Sequence, residues 1–310
     1  MGKGKHGLAL RLLLLWMFLA GAVILAGCRQ QVPDAGEASA PDEISPVIPP
    51  YSGNPFVLIN GNVPMFTEAD FVQISGKTGV FYSELDGLGR CGTAWARLGA
   101  RMLPEEPRDA IGDLKPSGWH TVKYNDLIAD NYLYNRCHLV GYQLGGANAD
   151  LRNLMTGTRY LNVEGMLPFE NRVAQYLKQT ESHVLYRVTP MFTGENLLAD
   201  GVILEAESVE DDGKGIRFCV YVYNVQPGIR IDYATGDSEP DEPDSTAEAM
   251  EAGTAEAQET TYILNKSSGK FHLPACESVD EMAEWNRQES HLSREELIEA
   301  GFTPCKMCNP

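Results

Sequence analysis

The sequence has little positive charge. Its 310 residues include 25 Lys and Arg against 43 Asp and Glu, a net charge of −18. Nine of the acidic residues fall in 237–260, which has no Lys or Arg, and residues 51–236 carry 16 basic against 22 acidic side chains. This balance excludes a uniformly basic surface, so any affinity for a polyanion must come from local clusters and a bound cation.

Cysteine is also scarce, with seven in the chain. Three are scattered through the middle and cannot all pair with one another, so at least one is predicted to be a buried thiol; these are Cys91, Cys137 and Cys219. No internal repeat is found in the sequence, which excludes a repeat architecture.

The chain begins with one apolar run, from Leu12 to Ala26, after a basic start at Lys3 and Lys5. This layout is typical of a secretory signal. The run ends in Leu-Ala-Gly followed by Cys28, which resembles a bacterial lipobox in which the Cys is lipidated. The alternative is an uncleaved anchor, but the run is shorter than a span of about 20 residues. Either way, we expect an exported membrane protein that faces outward.

Composition predicts five segments. They are a lipoprotein signal (1–28), a disordered spacer (29–50), a main domain (51–236), an acidic linker (237–260) and a small Cys/His module (261–310). The spacer and the linker are rich in Pro, Ala, Asp and Glu and lack the apolar residues that a packed core needs.

The main domain has the pattern of an α+β fold with a central antiparallel sheet. Residues 183–192, 201–210 and 216–225 alternate apolar and polar side chains and are separated by turn residues. Short strand-like runs precede them at 120–125 and 131–135. Residues 158–179 are predicted to be helical, with a break or restart at Pro168 because proline has no backbone N–H.

The most informative stretch is YNRCHLVGYQLGG, residues 134–146. It places His138 at or just after a strand, and Asn162 and Glu170 follow on the predicted helix, eight residues apart. If that helix were continuous, both would project from one face. A neutral imidazole can take a proton from water, and a hard cation such as Mg²⁺ prefers oxygen ligands. The set therefore favours metal-assisted hydrolysis of phosphodiesters.

These residues resemble a known family. Asn135-Arg136-Cys137-His138-Leu139, followed by the stretch from Asn153 to Asn162, is similar to the DNA/RNA non-specific endonucleases with a ββα-metal core, over about residues 80–235. The resemblance implies that His138 is the general base and Asn162 the Mg²⁺ ligand. Mn²⁺ is an expected substitute. It also implies that Glu170 holds metal-bound water.

Arginines complete the set that the resemblance suggests. Arg136 is a candidate for contacting phosphate or for orienting the site. Arg159 and Arg172 are candidates for contacting the transition-state phosphate, since a guanidinium fork matches its geometry; the alternative for both is a surface arginine. The implied substrate is DNA and also RNA, with the membrane contacted through the lipid anchor and no obligate protein partner.

The sequence departs from the family signature at two positions, with Asn135 where Asp is expected and Cys137 where Gly is expected. Cys137 is interpreted as a packed thiol. The departures leave a second function open, namely a non-catalytic lipoprotein that binds nucleic acid or a wall polymer on the same fold.

The C-terminal module contains His272, Cys276, Cys305 and Cys308. One His and three Cys match a closed tetrahedral Zn²⁺ site of structural type, and the segment resembles small metal-binding modules of the Ada type. A disulfide is the alternative in an oxidising exterior. A thiol oxidoreductase is disfavoured because no βαβ pattern surrounds the Cys-X-X-Cys pair. Helices are expected at 278–288 and, capped by Ser293, at 293–302.

Overall fold

The structure is a computed structural model, and it describes residues 46–67, 70, 77–241 and 261–310. The signal segment with Cys28, most of the spacer and residues 242–260 of the linker lie outside the described residues. Pro46–Pro310 form one compact unit. In the described part of the chain, no helix combines the length and the apolar character needed to cross a membrane.

A six-stranded antiparallel sheet forms the centre of this unit. Its spatial order is β1-β8-β7-β6-β3-β2. The strands are β1 (Phe56–Leu58), β2 (Gly79–Tyr82), β3 (Ala94–Gly99), β6 (His183–Met191), β7 (Gly201–Ser208) and β8 (Arg217–Tyr223). The three strands predicted from alternation are β6, β7 and β8, so the prediction of a central antiparallel sheet is confirmed.

A hairpin and a helix pack against one face of the sheet and make a ββα unit. The hairpin pairs β4 (Tyr134–His138) with β5 (Leu154–Thr158). The helical part begins as a π-helix, Leu161–Met166, and continues as α1, Leu167–Gln179. Of the expected strands, 120–125 forms only an isolated bridge, between Lys123 and Tyr132, and 131–135 overlaps the start of β4 at Tyr134.

Helix α1 is amphipathic and carries much of the core. Pro168 lies in the first turn of α1, directly after the π-helix, where the N–H of Leu167 still bonds to the carbonyl of Asn162. The N–H that Pro168 lacks therefore falls where the helix changes from π to α geometry. The buried side chains of Phe169, Val173 and Leu177 are spaced by one helical turn and face the sheet. Burial of a side chain as large as Phe169 contributes about 1.5–3 kcal/mol to stability.

The main domain, predicted as residues 51–236, extends beyond both of these boundaries in the structure. The hydroxyl of Tyr223 donates to the carbonyl of Pro49, 2.8 Å away, which brings the end of the predicted spacer onto the body. Strand β10 (Ser238–Pro240) pairs with β9 (Ile229–Ile231), so the first residues of the predicted linker belong to a hairpin.

The C-terminal segment forms a four-stranded sheet in the order β13-β11-β12-β14. Its elements are β11 (Tyr262–Asn265), β12 (Lys270–His272), α2 (Glu277–Asp280), β13 (Arg287–Ser290), α3 (Arg294–Glu299) and β14 (Thr303–Pro304). Ser293 caps α3 through a capping box, as expected. The helix expected at 278–288 is wrong: after α2 the chain makes a 3₁₀ turn and enters β13, whose pairing with β11 overrides local propensity.

The core of this segment is continuous with that of the body. The ring centroid of Phe302 lies 6.2 Å from that of Phe56 and 6.1 Å from that of Phe169 on α1. All three side chains are almost completely buried. Contacts of this kind tie the stability of the C-terminal segment to that of the body.

Candidate active site and metal centre

The β4–β5 hairpin presents two faces. Because side chains alternate along a strand, Arg136 and His138 lie on one face of β4 and Cys137 on the other. Cys137 points toward the helix, where its thiol lies 3.1 Å from the Oδ1 atom of Asn162 and 3.6 Å from the sulfur of Met166. The partner of Cys137 is therefore the predicted metal ligand and not His138.

His138 is buried, with 7% of its surface exposed, and its Nε2 lies 3.0 Å from the carbonyl oxygen of Asn148. A carbonyl only accepts, so Nε2 carries the proton and Nδ1 keeps a lone pair. Burial lowers the pKa of His138 most strongly; the Asn148 carbonyl raises it, and the charge of Arg108 lowers it further. The net shift is downward, which favours the neutral imidazole that a general base requires.

The loop after β4 is held by Asn153, a fully buried side chain. Its amide oxygen accepts from the backbone N–H of Val140 at 2.9 Å, and its amide nitrogen donates to the carbonyls of Val140 and Ala147. These bonds bring the loop back toward β4, which places the Asn148 carbonyl beside His138.

Glycine is required at position 146 of that loop. A Cβ there would lie 1.8 Å from the carbonyl oxygen of Val140, which is backbone and has no rotamer to change. The glycines of the opening motif thus serve close packing of the loop that carries Asn148.

Arg136 holds a neighbouring loop. Its guanidinium donates to the carbonyls of Gly112 and Leu114 and lies 4.0 Å from the ring centroid of Trp119. These contacts fit the orienting role proposed for Arg136 better than direct phosphate contact, because the Nε and one terminal nitrogen are already committed.

A cleft of about 440 Å³ lies beside β4. Its walls include Arg108, Trp119, Tyr132, Asn135, Arg136 and Asn162. Asn162, at the start of the π-helix, is half-buried and offers an amide oxygen there. Among the described residues, His138 and Glu170 are not part of these walls.

Glu170 is buried beneath the turn that follows β4. A Cβ on Gly141 would lie 2.8 Å from either of its carboxylate oxygens, and the amide of Gln143 is 3.4 Å from one of them. Burial raises the pKa of Glu170 to about 7, against the hydrogen bonds from Gln143 and Gly141 that lower it. The π-helix and Pro168 interrupt the single α-helical face on which Asn162 and Glu170 were expected to lie, so Glu170 as holder of metal-bound water stays a prediction.

The two remaining arginines lie apart from the cleft walls. The Nε of Arg159 pairs with Asp130 at 2.7 Å, and Asp130 itself lines the cleft. Arg172 donates to the carbonyl of Ala300 and lies 5.6 Å from the ring centroid of Phe218. Burial lowers the pKa of Arg172 to about 10. The C-terminal segment encloses this guanidinium, which does not fit the expected phosphate contact; the sequence could not reveal it because residue 300 is distant along the chain.

A second cluster lies at the end of the C-terminal sheet. One ligand atom from each of His272, Cys276, Cys305 and Cys308 lies within 4.8 Å of the others. The three cysteines are free thiols rather than a disulfide. Both ring nitrogens of His272 are buried without a hydrogen-bond partner, which is costly unless they bind something else. The backbone N–H groups of Leu273 and Met307 donate to Cys308 and Cys305. This donor set could hold a metal ion, and Zn²⁺ fits it best.

Sequence reasoning missed several residues at the site. Asn148 acts through its backbone, which no side-chain pattern reveals. Asn153 is a buried amide whose partners are all within the loop. Trp119 lines the cleft beside Arg136, and a single aromatic residue gives no sequence signal for such a position.

Comparison with known proteins agrees with this geometry. Residues 72–210 match the model of the DNA/RNA non-specific endonuclease family. The matched region contains the β4–β5 hairpin, the π-helix and α1 with their polar side chains. Residues 72–210 of this chain are therefore similar to the DNA/RNA non-specific endonucleases.

Similar proteins include a curated deoxyribonuclease and two crystal structures of NucA. A deoxyribonuclease of Streptococcus dysgalactiae subsp. equisimilis is 31% identical over 153 residues, which are 45% of this chain and 44% of that protein. The chain thus spans less than half the length of this curated relative. The crystal structure of NucA from Streptococcus agalactiae without metal has a TM-score of 0.53 at 26% identity, covering 62% of this chain and 89% of NucA. The magnesium-bound structure of NucA from the same organism has a TM-score of 0.51 at 25% identity, and the match covers 59% of this chain and 85% of NucA.

Proposed function

We propose that this protein is a surface-anchored endonuclease that hydrolyses phosphodiester bonds of DNA, and also of RNA, without sequence specificity. The observation that carries the proposal is the His138 imidazole, which burial keeps neutral and the Asn148 carbonyl fixes in one tautomer, on the strand next to a cleft that contains Asn162. The family match and the similarity to a streptococcal deoxyribonuclease support it.

His138 would act as general base through Nδ1, because Nε2 is committed to the Asn148 carbonyl. A water proton moves to Nδ1, the water oxygen bonds to phosphorus, and the bond from phosphorus to the leaving oxygen breaks. Arg136 orients the loop above the cleft, and the charge of Arg108 helps to keep His138 neutral.

Asn162 is the residue that would hold Mg²⁺, with Mn²⁺ as a substitute. Mg²⁺ usually keeps several waters and takes one or two protein oxygens, which fits a half-buried amide in a polar cleft. When bound, the ion would neutralise charge on the scissile phosphate and on the leaving oxygen. The magnesium-bound structure of NucA, a similar protein, supports this choice of metal.

Zn²⁺ would be held by His272, Cys276, Cys305 and Cys308 as a structural ion, because four protein ligands leave no position for a substrate. The lipobox-like Cys28 would anchor the protein to the membrane with its body facing outward. The basic and apolar segments that precede Cys28 support this localisation.

The test uses the full-length protein, plasmid DNA and Mg²⁺. We expect nicked and then linear product from the parent, and a loss of about 10²–10⁴-fold in rate for His138→Ala. His291→Ala, at an exposed histidine of the C-terminal segment, is the matched control and should keep the parental rate.

Two outcomes count against the proposal. They are an inactive parent and a His138→Ala variant that cleaves as fast as the parent. A parent that binds DNA equally with and without a chelator, and does not cleave it, would favour the non-catalytic binding protein that Asn135 left open.

A further inference from the structure

A groove of about 420 Å³ lies where the C-terminal segment meets the body. Leu127, Arg159 and Tyr160 line it from the body, and Lys266 and Trp285 line it from the C-terminal segment. The family match ends at residue 210 and does not include Lys266 and Trp285, which form the C-terminal side of this groove.

Trp285 is the distinctive side chain of the groove. It is 69% exposed, and Leu127 on the opposite side is 51% exposed. The turn that carries Trp285 is fixed, because Asn286 bonds to Asn265 at 3.0 Å and accepts from the backbone N–H of Lys266 at 3.1 Å. Trp285 and Leu127 thus place two exposed apolar side chains on the two sides of one groove.

The groove adjoins the catalytic cleft. Arg159 belongs to the wall of the groove, and its ion-pair partner Asp130 belongs to the wall of the cleft, with 2.7 Å between their charged atoms. The groove and the cleft therefore share a boundary at the Arg159–Asp130 pair.

The charges of the groove favour recognition of a base over recognition of phosphate. Lys266 is paired with Glu164 at 2.9 Å, Arg159 is paired with Asp130, and Glu284 adds another acid. No excess of positive charge therefore attracts the backbone. An exposed aromatic face, in contrast, stacks with any base, provided that the base is unpaired.

We propose that this groove binds one unpaired base of the substrate strand, stacked on Trp285, beyond the nucleotide whose phosphate is cleaved. The proposal rests on the nuclease function proposed above. It gives the C-terminal segment a direct part in substrate binding and predicts a preference for single-stranded or locally open nucleic acid.

The test measures binding separately from cleavage. Full-length His138→Ala, which leaves the ligand intact, is titrated into a fluorescein-labelled single strand of about 12 nucleotides and followed by anisotropy. Adding Trp285→Ala should raise the Kd about 10-fold. Adding Trp285→Phe should restore most of the affinity, and Leu88→Ala, at an exposed apolar residue of a turn in the body, should change nothing.

Two comparisons separate stacking from charge and from simple loss of structure. On a blunt duplex of the same sequence, Trp285→Ala should change the Kd only slightly. On the single strand, the fold-change in Kd caused by Trp285→Ala should be the same at low and at high salt. Equal affinity with and without Trp285, equal losses on both ligands, or no binding of the single strand would each overturn the inference. Failure of the proposed nuclease function would instead appear as an inactive parent in the plasmid assay.

Discussion

The protonation of His138 is set by its surroundings. Burial in the hairpin and the charge of Arg108 lower its pKa below the ordinary value of 6.5, while the Asn148 carbonyl raises it by a smaller amount. The proposed base must be neutral to act, so we expect activity above the lowered pKa of His138 and its loss as the pH falls through that pKa.

We therefore predict that the acid limb of the pH profile of kcat has its midpoint below 6.5. Arg108→Gln should move this midpoint upward, because a cationic neighbour that disfavours imidazolium is removed. Rates of cleavage of a short oligonucleotide, measured from about pH 5 to about pH 8 at saturating Mg²⁺, give the midpoint. A midpoint at 6.5 or above in the parent would contradict the inference from burial.

The side chain of Cys137 contacts that of Asn162. A thiol is a weak donor, yet it lies 3.1 Å from the amide oxygen that is the predicted metal ligand. Burial raises the pKa of the Cys137 thiol far above its usual range, so the S–H proton is kept and can be donated. The residue that replaces the glycine of the family signature can thus orient the amide.

Cys137→Ala should weaken Mg²⁺ binding about 10-fold, the scale of effects seen when the partner of a metal ligand is removed. The rate at saturating Mg²⁺ should change much less. Cys137→Ser keeps a donor of similar size and should restore most of the affinity. Mg²⁺ titrations of the cleavage rate separate these effects, and a fall in saturated rate with unchanged Mg²⁺ dependence would speak for a packing role alone.

At the scale of elements, the loop from Gly141 to Asn153 connects the two strands of the hairpin and carries the Asn148 carbonyl. Its compactness depends on Gly146, which leaves no room for a side chain beside the carbonyl of Val140. The conformation of this loop therefore determines whether the Asn148 carbonyl can fix the tautomer of His138.

Gly146→Ala is expected to cost roughly 1–3 kcal/mol of folding free energy, because backbone must move to relieve the overlap. It should also lower the cleavage rate by displacing Asn148. Gly87→Ala is the matched control, since a Cβ there meets nothing within 4 Å and its φ is not in the left-handed region. Urea unfolding and plasmid cleavage check both variants; a Gly146→Ala protein as stable and as active as the control would show that the loop adapts without cost.

The whole molecule is held together partly by its C-terminal segment. The aromatic contacts of Phe302 with Phe56 and Phe169 join the two parts, and Arg172 of α1 bonds to the carbonyl of Ala300. Loss of the metal centre would therefore also destabilise α1, the helix that follows Asn162.

Removal of the proposed zinc with a zinc-selective chelator, with Mg²⁺ kept in excess, should lower the Tm of the full-length protein by several degrees or more. Cys305→Ser should give the same shift without chelator. A thiol reductant alone should leave the Tm unchanged, because the cysteines are free. Differential scanning calorimetry gives the Tm. A Tm that does not change with the chelator but falls with the reductant would indicate a disulfide instead of a metal centre.

Features that depend on local pattern could be predicted before the fold was known. Alternation placed β6, β7 and β8, because each strand buries one face against the core. The spacing of His138, Asn162 and Glu170 pointed to the ββα unit, and four Cys and His residues near the end of the chain pointed to a metal centre.

Features that depend on contacts between distant segments became visible in the folded chain. It paired His138 with a backbone carbonyl and Cys137 with Asn162, enclosed Arg172 with the C-terminal segment, and turned the expected helix at 278–288 into a turn and a strand. It also formed the groove of Trp285 from segments more than a hundred residues apart. Backbone acceptors, cross-strand partners and shared cores leave no periodic signal in the sequence, because they depend on which surfaces meet after the elements have formed.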